Sequence, residues 1–302
     1  MFYYKIYGLR VKSELELPEA FEVNENEVDK VDINIKLENI QKDIIALIDA
    51  GRVAGYRPKD MWFRIENVGI FHIKNGDTIL VQIFDNANLD KVRVFIMGSS
   101  LGMLLLEREE IAIHGGTIIV DNKAVIITGD SGAGKTTLTS CFRENEYKFL
   151  ADDVSALSFI DNIIYVEPAL PIQKLCKDAL INFGHDISKL KRIDDEREKY
   201  VLPLKDIFQI NHCVLNGIFE IVPYDGEVVK IEEIKGHEKF KLILKNIYRF
   251  FVFDFCVVPP MIIKKCLMTA EKTRIYRIYR PNDKFTVNEQ MEIITQIMKG
   301  VN

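Results

Sequence analysis

The residues that most constrain this chain lie at 129–136. Gly129, Asp130, Ser131, Gly132, Ala133, Gly134, Lys135 and Thr136 fit the pattern G-x-x-x-x-G-K-[S/T]. The strand-like run AVIIT (124–128) precedes them, and the helix-like run TTLTSCFREN follows. A strand that feeds a helix through a glycine loop requires an α/β fold. The glycines allow a tight turn whose backbone N–H groups face phosphate oxygens, and the helix adds its positive end. In such a loop Lys135 reaches the β- and γ-phosphates, the Thr136 hydroxyl holds Mg²⁺, and Thr137 lines the nucleotide.

Composition narrows the classes further. The chain has 302 residues, 48% of them hydrophobic and 28% charged, enough for a substantial core and too apolar for disorder. Forty basic against 45 acidic residues leave a net charge of −5, which excludes bulk nucleic-acid binding. The longest apolar stretch, 247–263, is broken by Arg249, Asp254 and Pro259-Pro260, so no membrane span is expected. The first residues alternate like a strand and lack the features of a secretion signal, and a cytoplasmic protein is the expectation. Cys141, Cys176, Cys213, Cys256 and Cys266 have no paired spacing and read as reduced thiols; the histidines have no metal-ligand spacing.

Along the chain, strands are expected at 3–12, 31–36, 61–65, 69–73 and 79–84, with a helix at 40–49. A long buried helix is expected at 89–109. Runs 111–120 and 124–128 flank Asp121, Asn122 and Lys123 and read as a hairpin. Later strands are expected at 163–166, 217–222 and 228–234, the last two joined through Tyr224, Asp225 and Gly226. Helices are expected at 237–255 and 287–299, with the aromatics of 248–255 as packing.

Two further signals carry chemistry. Lys148, Phe149, Leu150 and Ala151 form a short apolar run ending in Asp152 and Asp153, which a parallel strand would deliver beside the glycine loop. One carboxylate can hold Mg²⁺ and the other can accept a proton from an attacking hydroxyl. If the hairpin turns through three residues, paired positions sum to 244 and His114 falls opposite Asp130, at the phosphates. Arg192, Arg197 and Lys199, in the charged run KLKRIDDEREKY, could close over the nucleotide, and the run does not say which of them does.

The segments IAIHGG (111–116), ITGDSGAGKTT (127–137) and FLADD (149–153), in this order, resemble the catalytic domain of the HPr kinase/phosphorylase family. Phosphoenolpyruvate carboxykinases are more distantly similar in their nucleotide site. The resemblance implies an α/β P-loop catalytic domain of the HPr-kinase-like type over 89–302; the strand and helix pattern makes 1–88 a separate small α/β unit, expected to dock substrate. It also implies ATP and Mg²⁺, His114 as the active-site histidine, Lys135 as the loop lysine, Thr136 as the metal-binding hydroxyl and Asp153 as the acceptor of the serine proton.

Where HPr kinases carry Leu-Glu-Ile-Arg-Gly-Leu-Gly, this chain reads YVEPALPIQKL (165–175), which argues against HPr as substrate and against the phosphorylase reaction. The opening YKIYGLRVKSELELPE, the Pro-x-x-Pro stretch at 168–171, EKYVLP (198–203) and IYRPND (278–283) are more similar to HPr-kinase-like enzymes found with peptide-maturation genes. Lasso-peptide precursor kinases are the best known of these. The expectation is an ATP-dependent kinase for a serine of a peptide or small protein, with Asp152 and Thr136 at the metal and Asp153 as base. A small-molecule hydroxyl kinase, an NTPase and a non-catalytic nucleotide-binding regulatory module stay open, as does a homo-oligomer.

Overall fold

The structure, a computed structural model, describes residues 1–194 and 198–300. It divides into two compact units, Met1–Ile111 with Arg249–Ile262, and Ala112–Tyr248 with the chain from Ile263 onward.

The first unit holds β1 (Phe2–Ile6), β2 (Leu9–Ser13), β3 (Phe21–Glu22), β4 (Ile33–Leu37), α1 (Lys42–Asp49), β5 (Ala54–Arg57), β6 (Asp60–Ile65), β7 (Gly69–Lys74) and β8 (Thr78–Ile83). Its eight strands form one sheet in the order β3-β1-β2-β4-β8-β7-β6-β5. The single strand expected at 3–12 is a hairpin, because Tyr7 and Gly8 take φ of 54° and 75° and reverse the chain. Strand β7 is buried on both faces because both are covered, and the polar His72 on one of them meets Asp60. Trp62, Ile70 and Leu80 pack with Ile40 and Ile44, while the Phe63 and Phe71 rings stack 4.9 Å apart and meet Phe95.

The helix expected at 89–109 is α2 (Leu89–Phe95), a π-helical turn (Ile96–Ser100) and α3 (Leu101–Glu107). It belongs to this unit. Phe95 packs on the sheet and Glu107 accepts the Gly76 N–H at 2.8 Å, so the division falls after Ile111 rather than at residue 88.

The second unit begins with β9 (Ala112–Val120), β10 (Lys123–Gly129), α4 (Lys135–Glu144), β11 (Phe149–Ala151), β12 (Val154–Ile160) and β13 (Ile163–Val166). Next come β14 (Ile172–Cys176), α5 (Lys177–Asn182), β15 (Lys191–Asp194), β16 (Lys199–Pro203), β17 (Cys213–Tyr224), β18 (Lys230–Ile234) and α6 (His237–Lys245). After α7 (Pro260–Lys272), within which the two units divide, β19 (Arg274–Pro281) and α8 (Val287–Lys299) complete it.

The main sheet runs β10-β9-β12-β13-β17-β19-β18, and β10 also pairs β17, so five strands close into a ring. Strands β14, β16 and β15 form a small separate sheet. On α4, Leu138, Cys141 and Phe142 recur at helical spacing and join Phe149, Phe219, Ile294 and Met298 in one core. Each fully buried phenylalanine there contributes about 1.5–3 kcal/mol.

Strands β17 and β18 are consecutive but unpaired, because β19 lies between them. Two expectations are corrected here. The helix expected at 237–255 ends at Lys245. Arg249 takes φ of 62°, and residues 250–254 form a separate 3₁₀ turn on which Phe251 and Phe255 are partly exposed and meet Tyr56. Apart from a parallel contact that is an isolated bridge from Phe149 to Phe208, strand β11 pairs antiparallel with β9, as β10 does. The two therefore point the same way, and their carboxyl ends, Gly129 and Ala151, reach one edge of the sheet. Among the described residues no helix is long and apolar enough to cross a membrane. All five cysteines are unpaired.

Candidate active site

The loop between β10 and α4 is built on glycine. Gly129 has φ of 139°, and a Cβ there would lie 2.5 Å from the Ile221 carbonyl oxygen of β17. Gly132 and Gly134 take φ of 80° and 105°. Ala133 N–H donates to the Asp130 carbonyl at 3.1 Å, closing the turn. The first turn of α4 follows at once, and its leading N–H groups have no intrahelical acceptors, which suits an anion.

Three cations brace the loop. Lys135 Nζ donates to the carbonyls of Gly129 (2.8 Å) and Asp130 (3.1 Å), which leaves one of its three donors uncommitted by these bonds. Burial lowers its pKa, while Asp153 and Asp130 work to raise it. Arg280 Nε donates to the Ala133 carbonyl at 2.7 Å, and Lys245 pairs with Asp130 at 2.9 Å.

Across the edge stands the carboxylate pair. The hairpin turns through two residues, Asp121 and Asn122, at φ of 49° and 58°. Paired positions therefore sum to 243, as in Lys123 with Val120 and Thr128 with Gly115. The expected pairing of His114 with Asp130 is thus wrong by one residue. His114 is paired instead with Val154 of β12, and its Nε2 lies 3.1 Å from Asp153 Oδ1. Gly115 lets β9 lie close against β10, since a Cβ there would sit 2.4 Å from the Ile127 carbonyl oxygen. The His114 backbone is pinned by its N–H to the Asn246 carbonyl (2.7 Å), and the Thr128 hydroxyl donates to the His114 carbonyl (2.8 Å).

The two acids differ in state. Burial pushes Asp152 up to about 7, helped by the neighbouring Asp153 charge and opposed by Lys174 and Lys199. Its Oδ2 accepts the Lys174 N–H at 3.0 Å. Burial also works to raise Asp153, but the His114 hydrogen bond and the charges of Lys174, His114 and Lys199 outweigh it, holding that carboxyl well below the ordinary range. Asp153 is thus the ionised member, with 44% of its side chain open to solvent.

The structure brings Lys135, His114, Asp152 and Asp153 together, and Thr136 and Thr137 lie half-buried on the first turn of α4. Of the three candidate cations, Lys199 reaches the pair electrostatically. Arg192 sits on β15 opposite Tyr200 of β16, and Arg197 lies outside the described residues. Lys174, Lys245, Asn246 and Arg280 were not singled out from sequence. Arg280 had a signal in the IYRPND segment, whereas the others come from elements whose approach only the tertiary fold sets.

The donor set fits a magnesium ion held jointly with phosphates. Asp152 Oδ1 is sealed from solvent and has no hydrogen-bond partner, as an oxygen meant for a cation would be. Among the described residues no three His, Cys, Asp or Glu side chains could hold a metal alone, so the remaining ligands would be phosphate and water oxygens.

No family model matches the sequence, and no curated protein does. Among solved structures, the chain is similar to the HPr(Ser) kinase/phosphatase from Coxiella burnetii, at 12% identity and a TM-score of 0.30 over 63% of this chain and 94% of that one. So distant a likeness adds nothing to the geometry, and the mixed α/β site stands on its own residues.

Proposed function

We propose that this chain transfers the γ-phosphoryl group of ATP to a serine hydroxyl of a peptide or small protein. The observation that carries the reading is Asp153: ionised, open to solvent, fixed by His114 and within the field of Lys135. A nucleotide binder without chemistry has no use for such a base.

In this reading the glycine loop and α4 hold the phosphates, and the remaining Lys135 donor meets the transferred group. The serine oxygen attacks the γ-phosphorus, the bond to the β–γ bridging oxygen breaks, and the hydroxyl proton passes to Asp153. His114 orients Asp153 and contacts the moving phosphoryl group. Thr136 and Asp152 would hold Mg²⁺, which would offset charge on the phosphates. The first unit, extended to Ile111, is assigned to acceptor docking.

The test is a transfer assay with labelled ATP against serine-bearing peptides from the host's own precursor genes, HPr and free serine. Labelled peptides are expected, with HPr and free serine poor. Efficient labelling of HPr, or preference for free serine over every peptide, rejects the peptide acceptor.

A further inference from the structure

A cavity of about 400 Å³ begins at Gly132 and Gly134 of the glycine loop and at Thr137 of α4. It continues along the segment after β19, where Asn282, Phe285 and Gln290 line it. Its volume falls in the roughly 300–1,000 Å³ range of small-molecule sites.

The walls are fixed by bonds of their own. Asn282 Nδ2 donates to Asp225 Oδ1 at 2.7 Å, and Lys284 Nζ donates to the Glu227 carbonyl at 3.0 Å. Gln290 is buried, with its Nε2 donating to Thr286 Oγ1 at 3.1 Å. Against these braced polar groups, Phe285 stands out with 68% of its surface in solvent. A single exposed aromatic is ordinary on a protein surface. One that lines a cavity starting on a phosphate-type loop offers a flat face on which a base could stack.

We propose that this cavity takes the base of the nucleotide whose phosphates the glycine loop holds, with the base stacked on Phe285 and the Asn282 and Gln290 amides near its edge. The inference rests on the nucleotide reading above and adds to it the residues that recognise the nucleoside. Stacking gives affinity without demanding one particular base, since every base has a π face.

Calorimetry on the whole chain with Mg²⁺ compares ATP with inorganic tripolyphosphate, which has the phosphates and no base. Phe285→Ala is expected to weaken ATP binding about tenfold, the usual size of a lost base–aromatic stack, and to leave tripolyphosphate unchanged. Phe285→Trp should restore ATP affinity. Because the ring is exposed, the thermal midpoint of Phe285→Ala should match the wild type, which separates a lost contact from a lost fold. Unchanged ATP affinity in Phe285→Ala overturns the inference, as does a higher acceptor KM with normal ATP binding, which would give the cavity to the acceptor. If the wild-type chain binds tripolyphosphate and ATP equally, only the base site falls. If it binds neither, the nucleotide reading falls as well.

Discussion

Glu107 of the first unit and Asp152 of the second are close counterparts. Burial raises each to about 7. Each accepts one backbone N–H, from Gly76 at 2.8 Å and from Lys174 at 3.0 Å, and each keeps its other oxygen sealed without a partner. What separates them is company. Beside Asp152 stand a second carboxylate and the charges of Lys174 and Lys199, with the glycine loop and Lys135 at the same sheet edge. Glu107 has the Asp60 carboxylate and Lys59, whose ammonium donates to the Glu107 backbone carbonyl rather than to its carboxylate, so it is the glycine loop and Lys135 that it lacks. A buried, perturbed carboxyl is therefore no mark of a site by itself; the charges and donors gathered around it decide.

The comparison breaks most severely if the glycine loop can be disarmed without consequence. Lys135→Ala should cut phosphoryl transfer at least about a hundredfold and shrink stabilisation by nucleotide, while leaving the thermal midpoint of the free protein in place. Next in size, Asp152→Asn should weaken Mg²⁺-dependent nucleotide binding roughly tenfold to a hundredfold, as loss of a charged ligand does, and leave binding without Mg²⁺ unchanged. Titration calorimetry with and without the metal reads both.

The smallest expected effect on transfer belongs to Glu107→Gln, which should have none. Its effect is on stability. With a pKa of 4.5 unfolded and about 7 folded, the folded state binds more protons between those values, so stability falls as pH rises through that window and levels off above it. At 1.36 kcal/mol per pH unit the loss is about 3 kcal/mol at most, and Glu107→Gln should flatten it in denaturant titrations at pH 5 and pH 8. A Glu107→Gln chain with impaired transfer would make the two carboxyls alike after all.

How far the site can be read from sequence follows from what each residue depends on. The glycine loop is legible because its conformation and its chemistry occupy the same eight residues. The adjacent Asp152 and Asp153 are legible as a pair, but their division into a sealed acid and an ionised one is not. That division depends on Lys174 N–H and His114, 22 and 39 residues away. The register of β9 with β10 turns on one residue, since Asp121 and Asn122 both accept positive φ and make a two-residue turn. Counting Lys123 into the turn is enough to aim His114 at Asp130 instead of bringing it to Asp153. In the first unit, β7, buried on both faces, is legible from its apolar run, whereas the Tyr7-Gly8 reversal lies inside residues that alternate like a single strand.

The central claim is that Asp153 takes the proton while the glycine loop and Asp152 hold the nucleotide. Asp153→Asn keeps the shape of the side chain and removes its charge, so it tests that division directly. Calorimetry should find Mg·ATP affinity within about twofold of wild type, while single-turnover transfer to a serine peptide falls by a factor of about 10²–10⁴, the usual worth of a positioned base. Transfer at the wild-type rate in Asp153→Asn, or loss of Mg·ATP binding there with retention in Asp152→Asn, would contradict the account.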